Sequence, residues 1–240
     1  MKTRRIKLTA EERKHLIIKA ARPLFAAHGF KGTSVRMIAE SANVSEALLY
    51  KHFPDKEAIY REMFKYSLSQ IKVIMKGLKD ITAGSEAIVL FIYAVYTLIL
   101  KEIPGRAADQ RSFERLLLQS LLNDADFARS VFTAYHDTFI DIFTRSLHIA
   151  IQQGDIIQLP ISEGNRIWFA HHLAMGLQLI FMTGVPAYEY HLSKDELVNE
   201  GVIYSLRGMG MTDTAIHKYF KPDELRAYVT KLIGLKSPIQ

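Results

Sequence analysis

Residues 34–53 read Ser-Val-Arg-Met-Ile-Ala-Glu-Ser-Ala-Asn-Val-Ser-Glu-Ala-Leu-Leu-Tyr-Lys-His-Phe, and the architecture of the chain is read outward from them. Two short runs with helical spacing, about Ser34–Ser41 and Val44–Lys51, flank Asn43, a residue that tolerates the left-handed backbone of a tight turn. Ile38, Ala39, Val44 and Leu49 can form an apolar joint between two short helices, and the small Ala39 and Ala42 let those helices approach closely. Upstream, Thr9-Ala-Glu-Glu12 has capping-box form, followed by Leu16, Ala20, Leu24 and Ala27 at helical spacing until Gly29. Downstream, Asp55 is placed to cap a longer helix through Tyr60, Phe64, Leu68, Ile71 and Met75 that ends near Gly77. Two short helices on a tight turn, behind a longer one, predict a helix-turn-helix.

Charge falls on the same segment. The chain has 240 residues and a formal net charge of +6. Residues 1–56 carry 12 Lys/Arg against 5 Asp/Glu, and residues 57–240 carry 19 against 20. The whole positive excess therefore lies in the first quarter of the chain. A positive field on one small module suits a polyanion, because neutralising phosphates releases their condensed counterions. A solvated basic surface has the same composition, so the charge supports the motif and does not replace it.

The remainder also reads as helix after helix. Expected helices are Ala87–Leu100, one following Pro104-Gly105, a long one over Asp124–Gln153, Asn165–Met182, Lys194–Arg207 behind the capping-box sequence Ser193-Lys-Asp-Glu196, and a last one from Pro222. There is no β-alternation, and the fold class is all-α. The uncharged stretches Ala87–Leu100 and Ile167–Tyr188 are respectively too short and too interrupted to cross a bilayer, so both are expected as buried helices. The charged opening Met1–Thr9 lacks the apolar run of a secretory signal. With no cysteine in the chain, a disulfide scaffold, a thiolate metal site and a thiol nucleophile are excluded. A cytoplasmic protein without a membrane partner is the expectation.

At Phe25-Ala-Ala-His-Gly-Phe30, Thr33-Ser-Val-Arg36, Leu49-Tyr-Lys-His-Phe53 and Lys56-Glu57 the chain resembles the N-terminal domain of the TetR family of transcriptional regulators, over about residues 12–60. The resemblance implies roles position by position. Thr33 and Ser34 would open the first motif helix and offer donors to a phosphate, and Arg36 would reach a phosphate or a guanine edge. Ser45, Ala47, Leu48 and Lys51 would face the major groove, Ala47 and Leu48 against thymine methyls. Tyr50, His52 and Lys56 would hold backbone oxygens. The chain departs from the family pattern at Met37, where an acid is usual, at Asn43 and Ala47, where Gly is common, and at Glu46, which puts a negative charge on the recognition helix. Lys2, Arg4, Arg5 and Lys7 form a basic arm that either enters an adjacent minor groove or stays disordered.

The division expected is a DNA-binding domain over residues 1–56 and a helical effector-binding and dimerisation domain over 57–240. The segment Asn165–Met182 is apolar on two sides, with Trp168, Met175, Leu179 and Met182 on one face and Ile167, Ala170, Ala174, Leu177 and Phe181 on the other. Such a helix needs two partners. Together with Leu197, Gly201, Ser205 and Gly208, the second face is assigned to a homodimer interface, matching the four-helix bundle through which family members dimerise. The resemblance further implies a pocket for a small molecule. Its candidate lining is Tyr93, Tyr96, Phe113, Tyr135, Phe139, Phe143, Trp168, His172 and Met175, which points to a mainly apolar effector.

The function expected is a ligand-responsive repressor on a palindromic double-stranded DNA operator. The competing readings are a protein of the same fold without a small-molecule effector, controlled by a protein partner or organising the nucleoid, and a helical enzyme. No catalytic set is present in sequence: there is no Gly-x-Ser-x-Gly, no His-Glu-x-x-His and no P-loop. His171 and His172 are adjacent and lack the spacing of a helical zinc pair, so neither metal nor cofactor is expected.

Overall fold

The computed structural model describes residues 9–76, 81–103, 107–183 and 185–232, with backbone only for 67–76, 108 and 109. The basic arm and the Pro104-Gly105 start lie outside these residues. The described residues form eleven helices: α1 (Ala10–Gly32), α2 (Val35–Ser41), α3 (Glu46–His52), α4 (Lys56–Lys76), α5 (Ser85–Leu100), α6 (Ala107–Leu122), α7 (Asp126–Gln152), α8 (Glu163–Ile180), α9 (Lys194–Gly208), α10 (Asp213–Tyr219) and α11 (Pro222–Leu232). One antiparallel bridge, Ile156 to Met211, is the extended pairing among them. The protein is all-α. No described helix is long and apolar enough to cross a membrane.

Local chemistry sets most helix starts. Thr9 and Ser193 both complete capping boxes, with Glu12 and Glu196 closing back onto the cap backbone. Gly29, at φ 67°, kinks α1 before its last turn, a conformation that costs an L side chain strain. Helix α10 is absent from the helices expected above. Its start is marked by Thr212, whose hydroxyl accepts from the Ala215 amide at 3.2 Å.

The chain divides into two compact units, Met1–Lys72 with Ala108–Phe132, and Val73–Ala107 with Thr133–Gln240. In the first unit, α1, α2 and α3 pack on Ile17, Phe25, Ile38, Ala39 and Leu49. A chain of rings continues from them: Phe30 and Phe25 meet Tyr60 at 5.0 and 4.9 Å, Tyr60 meets Phe64 at 4.2 Å, and Phe64 stacks on Phe127 at 4.3 Å. Burial and the nearby carboxylates of Asp124 and Asp126 push the Tyr60 phenol up to about 12.

In the second unit α5 is the hub. It is apolar nearly all round, and α8, α9, α10 and α11 all pack on it. Arg166 is buried and ties a turn to this core, donating to the carbonyls of Met209 at 2.9 Å and Leu159 at 3.2 Å. Such multiple bonding offsets the desolvation of a guanidinium that water no longer reaches.

Candidate nucleic-acid interface

The helix-turn-helix is assembled from caps and a single tight turn. Ser34 opens α2 by accepting from the Met37 amide at 3.1 Å, and Ser45 opens α3 by accepting from the Leu48 amide at 3.1 Å. Between them the Ala42 and Val44 amides donate to the Ile38 and Ala39 carbonyls at 2.9 and 3.0 Å, and Asn43 takes φ 51°. Ile38, Ala39, Ala42 and Leu49 are buried at this joint, whereas Val44 is half-buried. Burying Leu49 turns Ser45, Ala47, Tyr50 and Lys51 to solvent, with Leu48 and His52 half-buried at the edges.

Three of the expected phosphate ligands are engaged within the fold. Thr33 faces inward: it is 1% exposed and its hydroxyl donates to the Gly29 carbonyl at 2.8 Å, so Ser34 is the exposed member of that pair. Lys56 is half-buried, and its ammonium donates to the carbonyls of Phe30 and Thr33, both at 2.9 Å, while lying 4.3 Å from the Phe30 ring centre. It ties α4 to the corner between α1 and α2. Arg36 is exposed and pairs with Glu40 at 2.9 Å. That hydrogen bond, then the charges of Glu40 and Glu46, hold its guanidinium above the ordinary range.

The residues assigned to an effector pocket divide among three places. Tyr93, Tyr96 and Phe143 are buried in the α5 core, and the Tyr96 hydroxyl lies 2.8 Å from the Ser205 hydroxyl. Phe113 belongs to the first unit, edge-on to Phe127 at 5.6 Å, and Phe139 is edge-on to Phe91 at 5.0 Å. Tyr135, Trp168 and His172 form a cluster around His171, with ring centres 5.3 to 5.6 Å apart, and Met175 is half-buried on the same helix. Burial, and then the His172 charge, pull the His171 imidazole down to about 4; burial also lowers His172 and pushes the Tyr135 phenol up to about 12. Sequence reasoning missed His171 as the interior member of the pair. Its spacing from Ile167 and Ala174, four and three residues, is the signal that places it on the inward stripe.

Most of the α8 and α9 residues assigned to a partner pack within their own unit. Ala170, Ala174, Leu197, Gly201 and Ser205 are buried inside their own unit, and Ile167, Leu177 and Phe181 pack half-buried against the same core. The small side chains let α5 approach, and a Cβ at Gly201 would overlap the Tyr96 ring. Of that set Gly208 is exposed. The outward residues are Phe169, Leu179 and Tyr204, 59%, 46% and 71% exposed.

Residues 17–63 match the family described as bacterial regulatory proteins, tetR family. Over 61 residues the chain is 36% identical to the HTH-type transcriptional regulator YhgD of Bacillus subtilis (strain 168), covering 25% of this chain and 32% of that one. The chain thus spans about a third of that relative's length. A γ-butyrolactone receptor, described as ArpA-like, superposes with a TM-score of 0.61 at 21% identity, over 95% of this chain and 99% of the receptor. AibR, solved with isovaleryl coenzyme A and operator DNA, superposes with a TM-score of 0.57 at 18% identity, over 79% of this chain and 96% of AibR. At these identities the structures establish a shared fold. The family match rests on the residues that build the helix-turn-helix, and over residues 17–63 the chain carries a helix-turn-helix of the tetR-family type.

Proposed function

We propose that the chain is a ligand-responsive, sequence-specific regulator that binds a palindromic operator as a homodimer and represses until a mainly apolar small molecule releases it. The observation that carries this reading is the seven-residue α3, which buries Leu49 and presents Ser45, Ala47, Tyr50 and Lys51 together. That is the side-chain arrangement a recognition helix needs to enter a major groove. Ser34 and Arg36, beside them, supply the polar groups that grip backbone oxygens. In this reading residues 1–56 contact DNA, and residues 57–240 bind the effector and the second copy.

Exposure supports a partner face different from the one the sequence pattern marks. Phe169 and Leu179 on α8 and Tyr204 on α9 are large, apolar or aromatic, and open to solvent. A second copy of the chain related by a two-fold axis would cover them symmetrically. For the effector, the Tyr135–Trp168–His171–His172 cluster supplies aromatic surface with polar edges, whereas Tyr93, Tyr96 and Phe143 already fill the core. The two solved neighbours, one a receptor for a γ-butyrolactone and the other bound to an acyl coenzyme A and operator DNA, support both halves of the reading.

Selection of random duplex DNA on the purified protein, at two salt concentrations, tests it. The expected result is a palindrome with half-sites ~34–36 Å apart, over a steeply salt-dependent background. Enrichment of no sequence at either salt would overturn the reading.

A further inference from the structure

The first turn of α3 holds an acidic side chain that no role above uses. Glu46 is exposed, beside the exposed Ser45 and Ala47. Its carboxylate makes no hydrogen bond or ion pair within the described residues, and its one electrostatic neighbour there is Arg36, whose guanidinium is already bonded to Glu40. The other two side chains of that turn have less to offer a base amine. The Ser45 hydroxyl is occupied in capping the Leu48 amide, and Ala47 presents only a methyl. Glu46 is therefore the side chain there with both reach and unused acceptor capacity.

A carboxylate on a DNA-facing surface is repelled by phosphate, so it weakens binding to every sequence unless a donor meets it. Two base edges in the major groove offer such a donor, the cytosine N4 amine and the adenine N6 amine. On adenine the amine stands beside the N7 acceptor, which repels a second carboxylate oxygen. Cytosine carries no acceptor on its own major-groove edge. The charge sign and the two acceptor oxygens therefore favour cytosine.

We infer that Glu46 is a specificity-determining residue of the operator contact, selecting a cytosine at one position of each half-site by accepting from its N4 amine. The same carboxylate lowers affinity for all other sequences, sharpening discrimination at the expense of overall affinity. The inference rests on the DNA-binding reading of α3.

The test repeats the duplex selection with the wild-type chain, Glu46→Gln and Glu46→Ala. Wild type should enrich a cytosine at one half-site position by about 5- to 150-fold over the other bases. Glu46→Gln should move that preference to adenine, because a carboxamide can donate to N7 while accepting from N6. Glu46→Ala should erase the preference there, leave the other positions of the motif as they were, and raise affinity for random duplex. Both variants change an exposed side chain, and equal far-ultraviolet circular dichroism would show that folding is retained. A wild-type motif that survives unchanged in both variants would overturn the role of Glu46 and leave the regulator reading standing. A wild type that enriches no sequence would overturn the regulator reading and, with it, this one.

Discussion

The α2–α3 corner and the α8–α9 pair are both helix–helix packings, yet their inward faces are determined differently. At the corner each helix has seven residues and one apolar side, so burying Leu49 and Ile38 orients every other side chain. On α8 both sides are apolar, and hydrophobicity alone does not choose which side meets the core. The choice follows from size. Ala170 and Ala174 on α8 and Gly201 on α9 are narrow enough for α5 to approach, whereas Trp168 and Phe169 are not. Apolar periodicity reports that a face is buried. Small residues report how close the neighbour comes.

The contrast can be attacked most strongly at Leu49. It is fully buried, and Leu49→Ala should destabilise the first unit by about 2–5 kcal/mol in urea denaturation and abolish specific DNA binding. Survival of both would mean that α3 is not oriented by that side chain.

An acid titration gives the next effect in size, at the α8 cluster. The His171 imidazole, held down to about 4, is favoured neutral in the folded chain. Its contribution is therefore full above the unfolded value near 6.5 and is lost as pH falls through 4, on the order of 3 kcal/mol by linkage. His171→Phe should flatten the stability profile between about pH 6.5 and 4 relative to wild type. A parallel profile would place the imidazole in water.

Gly201 distinguishes core from interface. Gly201→Leu should cost about 1–3 kcal/mol by forcing the Tyr96 ring away, lowering the melting temperature whatever the oligomeric state. If the variant keeps its stability and only loses self-association by sedimentation, Gly201 belongs to a partner face instead.

The smallest effect compares two lysines. Exposed Lys51 is proposed to face the major groove, where its free charge displaces a counterion, so Lys51→Ala should reduce the slope of log affinity against log salt by about 1. Lys56 is bonded to the Phe30 and Thr33 carbonyls, so Lys56→Met should lower affinity and thermal stability together while leaving the slope unchanged. Equal slope changes in the two variants would make Lys56 a phosphate ligand after all.

Reading residues in order is enough to specify the helical class, the capping of α1 and α9, the turn at Asn43 and the family resemblance of the helix-turn-helix. Each is written in contacts between residues a few positions apart, Thr9 with Glu12 or Ser193 with Glu196, and local hydrogen bonds depend on spacing alone. The remaining outcomes come from packing. It turns Thr33 inward to the Gly29 carbonyl and draws Lys56 onto two carbonyls 23 and 26 residues away. It places His171 rather than His172 in the interior, and sets Gly201 against Tyr96 from across the chain. Those outcomes depend on which surfaces meet and how closely. Burial makes an unpaired polar group costly and rewards tight fit, and neither condition exists until the helices have packed.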